Sequence, residues 1–220
     1  MIKILFLRRL VVKMLTQTKY INRRGLGKSV AHEEIQGYLK KQIPSLELEK
    51  SLGKRRADAV WEERKIVFEI QISPISLQEA LDRCTDYASI GYQVVWVLYE
   101  GLYNGFKVSP AEKFLRFGCP TYFTNGVIIY DQIEVIRGKK RHFKGEALPV
   151  NISEPCIPFI KVPDRNWPFH FVGDIHTTCA TLGVKEVQKI IHQHSPLEGW
   201  KWWLHYIGLR ILELVSTNQK

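Results

Sequence analysis

A run of five apolar residues, Val94-Val95-Trp96-Val97-Leu98, constrains this chain more than any other feature. An unbroken run of that length, rich in β-branched residues, fits a strand covered on both faces, and such a sheet needs helices on either side. The residues just before the run supply one of them. Ser76-Leu77-Gln78-Glu79 has the pattern of a capping box, with Ser76 at the N-cap and Glu79 at the third helical position. The helix it opens buries Leu77, Ala80, Leu81, Cys84 and Ala88, and Gly91 is a natural stop. Two short strands precede this helix, over 56–61 and 65–72, separated by Glu62-Glu63-Arg64. In the second, Phe68, Ile70 and Ile72 point one way while Glu69 and Gln71 point the other.

Further upstream, Ala31, Ile35, Leu39 and Ile43 recur at helical spacing after a capping Ser29, and Pro44 forbids continuation. Leu46, Leu48 and Leu52 then alternate with Glu47 and Glu49, the period of a half-buried strand. The order is helix, three strands, helix, strand. A strand–helix–strand unit of this length crosses over right-handedly and lays its last strand parallel to its partner. The expected fold is an α/β core over 28–137, a small mixed sheet flanked by helices. Beyond residue 100 the reading predicts a short helix over 109–117 and a hairpin of 127–130 with 133–137. Residues 138–170, rich in proline and basic groups, read as a loop, and 171–220 as a helical extension with helices over 184–192 and 200–215. Residues 1–27 stay open between strand, interfacial helix and leader; Arg8 and Arg9 interrupt an apolar opening too short to span a bilayer.

The hairpin carries the chemistry. If an even-numbered loop centres between Glu63 and Arg64, Glu62 faces Lys65 and Asp58 faces Glu69 from the same side of the sheet. Two carboxylates that close repel, so one resists ionisation unless a cation lies between them. A divalent ion removes the penalty and fits oxygen ligands. Gln71, two residues beyond Glu69, shares its face; an amide does not titrate, so it can orient a water or offer its oxygen, but cannot be a general base. Glu33 and Glu34 on the first helix are candidate outer ligands, and His32 is placed to touch the site.

Charge narrows the partner. The chain carries 32 Lys and Arg against 22 Asp and Glu, a formal +10 that favours a polyanion such as nucleic acid. Lys139, Lys140 and Arg141 lie in a compact basic run suited to phosphate contacts independent of sequence. The four cysteines form no CxxC pair and give no zinc-ribbon or disulfide framework, as expected of a reduced, cytoplasmic protein without a membrane partner.

Together, His32-Glu33, Arg56-Ala57-Asp58, Glu69-Ile70-Gln71-Ile72-Ser73, Ile75-Ser76, Glu79, Arg83, Tyr87 and Gly91-Tyr92-Gln93-Val94-Val95-Trp96 resemble the nuclease-like domain of the CoiA competence protein family. The resemblance covers about residues 28–100. It implies a PD-(D/E)XK, restriction-endonuclease-like core, a divalent metal such as Mg2+ or Mn2+, and DNA processing in competence or recombination, with proteins of those processes as partners. Carried over, Asp58 and Glu69 match the metal-binding acidic positions, and Gln71 stands where the superfamily more often has Lys. Arg83 and Tyr87 match the helical pair beside the site. Two readings stay open: a metal-dependent DNA nuclease, and a catalytically inactive domain of the same fold that binds DNA or a recombination partner.

Overall fold

The structure, a computed structural model, describes residues 28–152, 171–173, 178 and 181–194. The expected helix over 200–215 and the opening segment 1–27 lie outside the described residues. From the N-terminal side the elements are α1 (Lys28–Gln42), β1 (Glu47–Leu52), β2 (Arg55–Trp61), β3 (Ile66–Gln71), α2 (Leu77–Ser89), β4 (Gln93–Tyr99), α3 (Pro110–Gly118), β5 (Thr121–Thr124) and β6 (Ile129–Asp131). They continue through β7 (Glu134–Arg137), β8 (Lys140–Lys144), β9 (Leu148–Pro149), β10 (Phe171–Val172) and α4 (Val184–His194). Among the described residues no helix is long and apolar enough to cross a membrane.

Seven strands form one mixed sheet in the order β1-β2-β3-β4-β5-β6-β9. At its centre β3 and β4 run parallel, as do β4 and β5, while β2 runs antiparallel to its neighbours β1 and β3. The alternation of side chains on β3 and β4 divides the core in two. Val67, Val94, Trp96 and Leu98 pack with Ala80 and Tyr87 of α2 and Leu115 of α3. Ile66, Phe68, Ile70, Val95 and Val97 pack on the other face with Ile35, Leu39 and Ile43 of α1. The apolar run is therefore a strand covered on both faces, as its composition requires.

Local signals set the ends of α2. The Ser76 hydroxyl accepts a hydrogen bond from the Glu79 amide at 3.0 Å, the first half of a capping box. The reciprocal half is missing, because the Glu79 carboxylate is drawn to Arg55 and Arg83, both at 2.8 Å. At the other end Gly91 (φ 82°) lets its own amide donate to Ala88 and the Tyr92 amide donate to Tyr87, which satisfies two orphan carbonyls.

Past β4 the sequence reading needs two corrections. The expected hairpin of 127–130 with 133–137 does not form. Instead β6 pairs with β5 and β9 in the large sheet, and β7 pairs with β8 and β10 in a separate three-stranded sheet. Two buried residues, Gln132 and Ile133, carry the chain from one sheet to the other. The second correction concerns 138–170, where Lys140–Lys144 is a strand and not part of a loop. Gly138 (φ 60°) makes a tight turn between Arg137 and its register partner Lys140, and alternation then turns Arg141 inward while Lys140, His142 and Lys144 stay exposed.

Where the two sheets meet, a charged network is buried. Arg116, 1% exposed, donates to Asp131 at 2.9 Å and to the Thr121 carbonyl at 2.6 Å. Arg141 pairs with Glu112 and, at 3.1 Å, with Glu134. Burial removes water from all five groups, so each relies on its partners. We predict that Arg116→Ala, which leaves Asp131 buried without its guanidinium, costs about 3–5 kcal/mol. Urea unfolding of the variant against wild type measures this, and a loss under about 1 kcal/mol would show that the network contributes little.

Candidate functional site

The sheet register brings the two expected carboxylates near each other. Strands β2 and β3 pair Trp61 with Ile66, Val60 with Val67 and Ala59 with Phe68, and the ladder ends there, one residue short of Asp58 and Glu69. The turn between them, Glu62–Arg64, is a 3-10 turn, closed by Lys65 in the left-handed conformation (φ 53°, ψ 45°). A four-residue loop keeps the pairing even, although no Gly or Asn announces it.

Glu69 is 1% exposed, and the helix above answers its charge. The Tyr87 hydroxyl donates to it at 2.6 Å, and the Arg83 guanidinium donates to its other oxygen. Arg83 and Tyr87 are four apart on α2 and so share a face. Arg83 is also held by Glu79, so two carboxylates compete for one guanidinium. Burial, and then the nearby Asp58, push the Glu69 carboxyl above the usual carboxylate range despite these donors. Burial, and then Glu69, push the Tyr87 phenol up in turn.

Asp58 faces a different set of partners. One of its oxygens accepts from the Ile70 amide at 2.6 Å, and the other lies 3.0 Å from His32 Nε2. The hydrogen bond to Asp58 raises the His32 pKa above its ordinary value. Gln36, one turn along α1 from His32, donates to the Asp58 carbonyl at 2.9 Å and to Glu49 at 2.6 Å. Glu49 completes a cluster: ligand atoms of His32, Glu49 and Asp58 all lie within 4.8 Å of one another.

Glu49 and Gln36 are the residues that sequence reasoning missed. Gln36 carries a signal, its i, i+4 spacing from His32. Glu49 carries none, because strict alternation puts it with Glu47 on a solvated face. Its backbone breaks that alternation at φ 53°, and the β1–β2 pairing skips the Glu49–Asp58 position while keeping Leu48 with Ala59 and Lys50 with Ala57. The same irregularity leaves Leu48 39% exposed, against the expected burial. A non-glycine residue in this region costs energy and is held only where its surroundings demand it.

The other expected residues are placed as follows. Gln71, 8% exposed, spends its amide NH2 on the Ser73 carbonyl at 2.6 Å and on the Ser73 hydroxyl at 3.2 Å. Glu33 is exposed and outside the cluster, and the helix turns His32 and Gln36 to the strands in its place. Glu34 is half-buried and is not among the cluster's ligands either. Lys139 and Lys140 are exposed at the β7–β8 turn, but Arg141, 3% exposed within its ion pairs, cannot reach a phosphate.

The mixed α/β domain thus carries two carboxylates on adjacent strands, with an Arg–Tyr pair on the crossover helix donating to one of them. Residues 29–116, which contain every residue of the cluster and of the Glu69 site, match the family model for the nuclease-like domain of the competence protein CoiA. No curated protein and no solved structure matches the chain.

The raised Glu69 carboxyl gives a signed prediction. The folded state binds this proton more tightly than the unfolded chain, so the group costs stability above its folded pKa and costs nothing below its unfolded value. Glu69→Gln keeps the shape and an oxygen for Tyr87. In EDTA it should melt at or above the wild-type temperature at pH 8, and the difference should vanish as pH falls through the carboxylate range. A variant less stable at pH 8 would show that the Arg83 pair outweighs the burial.

Proposed function

We propose that this domain is a metal-dependent deoxyribonuclease of the PD-(D/E)XK fold, acting in DNA processing linked to competence or recombination in the cytoplasm. The observation that carries the reading is the convergence of Asp58, Glu69 and Gln71 from two paired strands with His32 and Glu49 beside them. The donor set fits a divalent cation: two carboxylates and an imidazole lie close enough to share one ion, a set that suits Mn2+ and, through its oxygens, Mg2+. His32 is drawn to Asp58, and an ion held by both would take the place of the hydrogen bond between them.

Asp58 is the shared element: it lies in the cluster with His32 and Glu49, and its charge helps to raise the Glu69 carboxyl. Glu69 is the second carboxylate that the family resemblance assigns to the metal, and both of its oxygens already accept from Tyr87 and Arg83. To reach an ion as well, it has to share one oxygen with Arg83. When bound, the cation supplies a water of lowered pKa and offsets charge on the phosphodiester. The protein's own groups do the rest. Arg83 fixes the Glu69 carboxylate, and its remaining N–H groups can meet a phosphate oxygen. The Gln71 carbonyl oxygen can orient the attacking water, with no titrating base required.

The test is a panel of linear, nicked, branched and single-stranded DNA, with Mg2+, with Mn2+ and with EDTA. Metal-dependent cleavage is expected. Asp58→Asn and Glu69→Gln should each abolish it while DNA affinity persists, and cleavage by either purified variant would overturn the assigned site. Gln71→Ala should cost less than Glu69→Gln, a barrier of about 3 kcal/mol, comparable to loss of one preorganised hydrogen-bonding group. DNA binding without cleavage under every metal would instead support the inactive, DNA-binding reading.

Ligation has its own readout. Mn2+ should raise the melting temperature of wild type in proportion to its occupancy. Glu49→Gln should lose most of that rise. An equal rise in the variant would exclude Glu49 from the metal site.

A further inference from the structure

We propose that Phe106, with Lys107, Lys139 and Lys140, forms a stacking platform for single-stranded nucleic acid, on a loop tied through Tyr103 to the end of β3. The inference rests on the nucleic-acid reading above and adds the strandedness of the substrate.

Phe106 is 61% exposed, the most exposed of the large hydrophobic residues described. A phenylalanine so placed contributes little to a core, and here it is not on a loose tip. The Phe106 carbonyl accepts from the Arg141 amide at 2.9 Å, and Val108 donates to Lys139 at 3.0 Å. Lys107 and Lys140 are bridged as strand neighbours. The Arg141 guanidinium grips the Gly105 carbonyl, and Lys144 donates to the Asn104 carbonyl at 2.9 Å. The ring is thus presented on a backbone pinned on both sides, from Asn104 to Val108, so little ordering cost remains for a ligand to meet.

Charge surrounds the ring. The Lys140 ammonium lies 5.7 Å from its centroid, and Lys107 and Lys139 are exposed on the neighbouring backbone. An open aromatic face among cations suits an unstacked base with its flanking phosphates. A duplex hides its base faces and can use only the cations. Buried Arg141, wrongly placed among the phosphate contacts by sequence reasoning, has a different part: it shapes the loop that offers the ring.

The platform is also tied to the site. Tyr103, three residues before Phe106 and 4% exposed, donates from its hydroxyl to the Ser73 carbonyl at 2.6 Å. That carbonyl also accepts the Gln71 amide. The loop that presents the ring is therefore tied, through the Tyr103 side chain, to the segment just beyond the strand that carries Glu69 and Gln71.

The experiment is fluorescence anisotropy of the full chain in EDTA, with labelled oligo(dT) and a duplex of equal length. Binding without metal separates this inference from the nuclease reading, since failure of cleavage leaves the measurement intact. Wild type should prefer the single strand. Phe106→Ala should weaken oligo(dT) about tenfold and leave the duplex unchanged, and Phe106→Trp should restore it. Joint replacement of Lys107, Lys139 and Lys140 by Ala should reduce the salt slope for oligo(dT) by about 2. Circular dichroism confirms that each variant is folded. Equal affinity of wild type and Phe106→Ala for oligo(dT), or equal loss on the duplex, would overturn the proposal. Absence of nucleic-acid binding would also overturn it and assign the patch to a protein partner.

Discussion

A carboxylate that is 1% exposed has to find its hydrogen-bond donors inside the protein, and Glu69 finds them on a single helix. Tyr87 and Arg83 reach it only because α2 lies across the sheet above β3, and α2 lies there because the chain must cross over to bring β4 parallel to β3. The burial of Tyr87 and Ala80 against Trp96 and Leu98 fixes the height of the helix above the strands. The Gly91 turn fixes where it ends. Packing, connection and charge therefore meet at one side chain, and moving any of them would strand a charge in a dry environment.

On the far side of the sheet the demands are lighter, and the site there is wetter. His32, Glu49 and Asp58 are each only partly covered, and their partners come from three elements, α1, β1 and β2. Asp58 belongs to both environments. The domain thus sets a fixed, desolvated carboxylate beside a solvated group of ligands, the division that a site needs if one group is to be held while another exchanges its partner.

Much of this was legible in the sequence. The paired strands, the capped helix and the apolar strand each obey one local rule, and the even loop matches the pairing of Trp61 with Ile66. Arg83 and Tyr87 came from the family resemblance, and helical spacing put them on one face. What the sequence hid depends on contacts between distant segments or on an unusual backbone. The left-handed turn at Glu49 has no glycine to mark it. The split of 127–137 between two sheets is decided by what β6 and β7 can pair with, chiefly β5 and β8. Arg141 reads as one cation in a basic run, yet its place on an alternating strand, opposite Glu112 and Glu134, turns it inward.

The turn at Glu49 has a second effect. Strand β1 is at the border of the seven-stranded sheet, where unpaired amides and carbonyls invite another chain to add on. At Glu49 the strand leaves the extended conformation, and its rim carries Glu47, Glu49 and Lys50. An incoming strand would have to lose its ladder at the kink and oppose charge on either side of it. The distortion that brings a ligand to the site therefore also keeps the sheet from growing, so this rim is shielded from self-association by the backbone that shapes the chemistry.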